Sequence, residues 1–100
     1  MQRKEDSSVP QLFKFGGYCI YFWSNENKPL EPVHVHVAYG RPSRTGTKIW
    51  ITSESRALLA NNNSGIPKPQ LNYIIRFIEA NSQMILESWA EHFGQISYYC

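Results

Sequence analysis

The sequence predicts an α+β domain: a four-stranded antiparallel sheet, connected as a meander, with one long C-terminal helix packed on one face. Three observations predict it. Four short apolar runs bounded by turn formers fill the first half of the chain. From Pro67 onward the apolar spacing changes to three, four and seven residues, the spacing of a helical stripe. Between them lies Glu31-Pro32-Val33-His34-Val35-His36-Val37, a valine strand carrying two of the three histidines.

Residues 1–10 read as a polar, flexible leader ending at Pro10, and residues 11–94 as one α+β domain. Leu12-Phe13-Lys14-Phe15 is the first strand, and Gly16-Gly17 is a hairpin turn signal. The second strand, Tyr18 to Ser24, is apolar on both faces, and Asn25 to Pro32 forms a loop fixed by turn residues. The histidine strand runs to about Tyr39, Gly40 to Gly46 is a long hairpin loop, and Thr47 to Thr52 is the fourth strand. Short links between sequential strands favour an antiparallel meander. Ser55 to Leu59 reads as one helical turn, and Asn61-Asn62-Asn63-Ser64-Gly65 as irregular chain.

The long helix carries Leu71, Ile74, Ile75, Ile78, Ile85, Trp89 and Phe93 on one stripe. Pro67 and Pro69 suit its first turn, where a missing N–H costs nothing, and Gly94 suits its end. Asn81-Ser82 is its weak point, where a kink is expected. Residues 95–100 are a C-terminal tail.

One helix covers one face of a sheet. Strand alternation assigns Tyr18, Ile20, Phe22, Val33, Val35, Val37, Ile49 and Ile51 to the covered face. The opposite face then carries Tyr21, Trp23, His34, His36, Lys48 and Trp50, with nothing to cover it.

Charge and cysteine content narrow the classes. Residues 1–50 hold seven basic and four acidic side chains, and residues 51–100 hold three and four, so the slight positive excess lies in the first half. Arg41, Arg44 and Lys48 occur between Tyr39 and Trp50 with no acid among them. Such a run attracts phosphate, or simply solvates a hairpin loop. Cys19 and Cys100 read as a small buried hydrophobe and a frayed terminus rather than a bridge, and no Cys-x-x-Cys pair is present for a zinc ribbon. No apolar run is long enough for a membrane span, and the first residues lack the apolar core of a signal peptide, which points to a cytoplasmic protein with no membrane partner.

The histidine face admits four chemistries. His34 and His36 as acid and base, with Lys48 as the cation, supply the residue types of a phosphodiester-cleaving site acting on RNA, although neighbours on one strand approach a scissile bond from the same side. His34 and His36 with Cys19 present donors for a metal ion, but spacing forces neither Cys19 nor Glu26, Glu31 or His92 into place as third ligand, so no metal and no cofactor is expected. Tyr21, Trp23, His34, His36 and Trp50 together make a protein-binding face, since aromatic residues suit interface cores. Both histidines can also be structural, packed on the tryptophans. His92, beside Phe93 at the helix end, reads as structural, where a cationic ring meets the helix dipole favourably.

Phe15-Gly16-Gly17-Tyr18, Tyr21-Phe22-Trp23-Ser24-Asn25-Glu26, Pro32-Val33-His34-Val35-His36-Val37, Lys48-Ile49-Trp50-Ile51 and Leu86-Glu87-Ser88-Trp89-Ala90-Glu91-His92-Phe93 occur in one order that resembles the small prokaryotic domain of unknown function DUF4160. The resemblance spans about residues 12 to 94; the loop from Arg41 to Gly46 and the tripled asparagine depart from it. It implies a short bacterial or phage-type protein, often encoded beside a second small protein in a toxin–antitoxin-like pair. It implies no established activity. A second small protein is therefore the expected partner, with RNA as the alternative and self-association through an edge strand also open.

Overall fold

The computed structural model describes residues 10–24 and 29–100. Residues 1–9 of the leader expected over residues 1–10, and loop residues 25–28 with the candidate ligand Glu26, lie outside the described residues. Five strands, β1 (Gln11–Phe15), β2 (Tyr18–Tyr21), β3 (His34–Tyr39), β4 (Thr47–Ile51) and β5 (Ala57–Asn61), precede two helices, α1 (Lys68–Ala80) and α2 (Ser82–Phe93). The strands lie side by side in chain order, each antiparallel to the next. The α+β class and the antiparallel meander are as the sequence predicts. Among the described residues, five strands and two helices replace the expected four and one.

The fifth strand occupies the stretch expected to be a helical turn. Ala57-Leu58-Leu59-Ala60-Asn61 holds no β-branched or aromatic residue, so local propensity points to helix. Tertiary pairing overrides it. Ser55 adopts φ 63°, its N–H donates to the Thr52 carbonyl at 2.9 Å, and Thr52 N–H donates to the Arg56 carbonyl at 2.9 Å. The chain reverses there and lies against β4, with Ala57 opposite Ile51 and Leu58 opposite Trp50. Glu79 of α1 accepts from the Ala57 N–H at 3.0 Å and from Arg56 Nε at 3.1 Å, tying the edge strand to the helix layer.

The helix divides at its weak point. Asn81 has φ −112° and ψ 18°, and its side-chain amide donates to the Phe77 carbonyl at 2.8 Å. Such local side-chain bonding competes with helix continuation. Pro67 caps α1 and Pro69 sits in its first turn, while α2 ends at Gly94 in the left-handed conformation.

The helix-side face is the core. Ile20, Phe22, Val33, Val35, Val37, Ile49 and Ile51 are buried with Leu71, Ile74, Ile78, Ile85 and Trp89. Register sets Ile20 opposite Val37, and Val35 opposite Ile49. Each aliphatic side chain removed from water contributes about 1.5–3 kcal/mol. Phe77 holds β1 to this layer by stacking on Phe15 at 4.5 Å and meeting Phe13 edge-on at 5.2 Å. The β1–β2 hairpin turns through Gly16 and Gly17 at φ 58° and 88°, where a Cβ on Gly17 would collide with the Tyr39 ring.

The tripled asparagine is ordered by hydrogen bonds. Asn61 closes β5, Asn62 Oδ1 accepts from Thr47 Oγ1 at 2.7 Å, and Ser64 Oγ accepts from Thr47 N–H at 2.9 Å. No helix among the described residues is long and apolar enough to cross a membrane.

The face expected to be open is largely covered: Cys19, Tyr21, His34 and His36 are buried. The expectation treated helices as the only cover available. In the fold, the Gly40 to Gly46 loop and the C-terminal tail close over this face as well. The tail is docked rather than frayed. Ser97 O accepts from Val33 N–H at 2.9 Å, Cys100 O accepts from Ser53 N–H at 2.9 Å, and Ile96 packs against the core.

Candidate functional site

The histidine face is built on β2, β3 and β4. Register places Tyr21 opposite His36, His36 opposite Lys48, and His34 opposite Trp50, so these side chains share one surface as strand alternation predicts. The imidazoles of His34 and His36 meet edge to face with centroids 5.0 Å apart. Tyr21 stacks on His36 at 5.6 Å, and Trp23 meets Tyr21 edge-on at 5.5 Å.

His34 is fully enclosed, as Tyr21 is. Its ring lies 5.5 Å from Trp50 and 5.3 Å from Trp89, which reaches it from α2. His34 Nδ1 lies 2.9 Å from the Pro32 carbonyl. A carbonyl only accepts, so Nδ1 carries the proton and any metal would have to bind through Nε2.

Lys48 is engaged twice. Its ammonium donates to Glu31 Oε1 at 2.6 Å and sits 4.3 Å from the Trp50 ring centre. The cation expected to stabilise a developing phosphate charge is thus already balanced by a carboxylate. Trp50 also stacks on Tyr99 of the tail, rings 4.7 Å apart and nearly parallel. At the other side of the face the Arg44 guanidinium lies 4.8 Å from the centre of the Trp23 ring.

Cys19 shares the face, with Sγ donating to the Ala38 carbonyl at 3.4 Å. Burial pushes its thiol above the ordinary value, while the charge of Lys14 and backbone hydrogen bonds pull the other way. A thiol held protonated is a poor metal ligand, because the thiolate is the binding form. Among the described residues no group of three His, Cys, Asp or Glu is placed to hold a metal ion. His92 is exposed in the last turn of α2, edge-on to Phe22 at 5.7 Å and to Phe93 at 5.3 Å.

Among the described residues, cavities also open away from this face. One is an apolar groove lined by Phe15, Gly16, Tyr18, Gln70, Tyr73 and Ile74; another is lined by Thr52, Ser53, Glu54, Arg56 and Cys100. Neither is lined by a histidine. The structure brings together Tyr21, His34, His36, Lys48 and Trp50 and keeps Trp23 beside them. It adds Trp89 and Tyr99, which the sequence reading placed in the helix stripe and the tail. The paired tyrosines Tyr98-Tyr99 were the signal for the second; an aromatic tail is apolar enough to dock.

Most of this face lies within a stretch that matches a known family. A family model described as a domain of unknown function (DUF4160) matches residues 17–90. The chain belongs to the DUF4160 family. The matched stretch runs from the β1–β2 turn into α2 and includes the histidine strand, Lys48, Trp50 and Trp89. It leaves out β1, Tyr99 and the rest of the tail. No curated protein and no solved structure matches the chain.

Proposed function

We propose that this DUF4160 domain is a protein-binding module, the binding component of a two-protein, toxin–antitoxin-like pair, and that it meets its partner over the histidine face. The observation that carries the proposal is the division of that face into a buried floor and an accessible aromatic rim. Tyr21, His34 and His36 are buried, whereas Trp23 and Trp50 keep part of their surface and Tyr99 is 59% exposed. Large aromatic side chains held rigidly by their neighbours offer contact area at little entropic cost, as interface centres require. The histidines serve as the packed support of the rim.

The experiment is co-expression with a small protein encoded next to this chain, followed by size-exclusion chromatography. The pair is expected to survive His36→Gln and to be lost in Trp50→Ala and Tyr99→Ala, with circular dichroism confirming that each variant folds. Growth arrest on expression that His36→Gln relieves without lowering the thermal midpoint would overturn the proposal. That result would make the chain an RNA-cleaving enzyme using His34, His36 and Lys48.

A further inference from the structure

The loop beside the rim is more than a cover. Its register is set by Tyr21, whose hydroxyl donates to the Ser43 carbonyl at 2.5 Å and accepts from the Ser43 N–H at 2.8 Å. Ser43 Oγ in turn accepts from the Thr45 N–H at 3.1 Å, and Gly46 N–H donates to the Ser43 carbonyl at 3.3 Å. Gly46 passes so close to the Tyr21 hydroxyl that a Cβ there would collide with it. A buried ring thus pins the centre of a surface loop, and the side chains the loop presents are held in advance of any contact.

Those side chains are cationic. Arg41 and Arg44 are exposed on the loop, and Lys14, also exposed, reaches it from β1 by donating to the Gly40 carbonyl at 3.2 Å. Among the described residues none of the three makes an ion pair; the pairs formed are Lys48–Glu31 and Arg56–Glu79. No acid occurs between Tyr39 and Trp50. Two cations on a preformed loop and a third reaching it from β1, none of them ion-paired among the described residues, form a patch beside the tryptophan rim with a definite preference for negative charge.

We infer that Lys14, Arg41 and Arg44 receive an acidic segment of the partner protein. This rests on the binding reading of the face and names the chemistry of what binds there. A nucleic acid is the weaker fit on two grounds. The formal net charge is only +2, short of the basic excess that phosphate-backbone binding uses. Arg44 lies over Trp23 and Tyr99 is stacked on Trp50, so both indoles already hold a neighbour where a base would stack.

The test uses the full chain and two labelled probes, a deca-glutamate peptide and an oligouridylate of equal length, read by fluorescence anisotropy. The peptide is expected to bind at about 50 mM salt and to weaken about tenfold at about 300 mM, where exposed charges are screened. Arg41→Gln with Arg44→Gln is expected to weaken it by about tenfold, while Arg76→Gln on α1 leaves it unchanged. No peptide binding at low salt, equal binding by the double variant, or tighter binding of the oligouridylate overturns the inference. Size-exclusion of the two-protein pair separates the two proposals. A pair that forms undiminished with the double variant at low salt refutes the acidic segment and keeps the binding face. No pair at all, with loop-dependent capture of the peptide, refutes the pair and keeps the loop's preference.

Discussion

On one side of the β2–β4 sheet, Ile20, Val35, Val37, Ile49 and Ile51 are covered by two helices; on the other, Cys19, Tyr21, His34 and His36 are covered by a loop and a tail. Both sets are buried, but by different means. The helix side relies on apolar area, which is non-directional and proportional to what is removed from water. The histidine side relies on directed contacts: Tyr21 to Ser43, His34 to Pro32, Ser97 to Val33, and a stacked Trp50–Tyr99 pair. Directed contacts place each group in one position and leave it costly to lose, so this side gains definition where the other gains stability.

The largest effect is expected where the two sides meet. Trp89 packs on Phe22 of the core at 5.0 Å and on His34 of the opposite face at 5.3 Å. Trp89→Ala should cost about 3–5 kcal/mol in urea unfolding, because a cavity opens against both layers. A loss no greater than that of an exposed substitution would show that the layers are not joined there.

Tyr21→Phe should cost less, about 1–3 kcal/mol, since it leaves Ser43 N–H without its acceptor. Its signature is local: the Ser43 amide should exchange faster with solvent while amides of β4 keep their protection. Uniform loss of protection across the sheet would break the distinction between directed and non-directed cover.

Much of this was legible in the residues. Alternation from Val33 to Val37 assigned both faces of β3 correctly, because a strand has only two sides and valine and histidine differ sharply in polarity. The cover of the histidine face was not legible. It depends on Tyr21 finding Ser43, twenty-two residues on, and on Tyr99 finding Trp50, and neither pairing leaves a periodic trace. β5 was hidden for a different reason. Its alanines and leucines favour helix, and only the reversal at Ser55 and the ladder to β4 make it a strand.

The smallest effect tests whether the helix side has any directed element of its own. Glu79 is held below the ordinary carboxylate value, first by the Ala57 N–H and also by Arg56. Its carboxylate is therefore favoured in the folded chain. The resulting stability is present above the ordinary carboxylate pKa and is lost as pH falls through the lowered folded value. Urea midpoints of the native chain should approach those of Glu79→Gln on acidification, the difference at neutral pH being below about 1 kcal/mol. A gap that widens on acidification would place the effect elsewhere.

The stretch that the family model matches, residues 17–90, is shorter than the unit that closes on itself here. Without Gln11–Phe15, β2 becomes a raw edge and Phe77 loses both of its ring partners. Without Ser97 and Tyr99, Val33, the residue leading into the histidine strand, loses a backbone bond and Trp50 loses its stacked cover. A chain trimmed to the matched stretch would keep Tyr21, Trp23, His34, His36, Lys48 and Trp50 and still present sticky surfaces at two places. The bounds of the matched stretch therefore make poor cutting sites in this domain; the segments just outside them are the ones that seal it against self-adhesion.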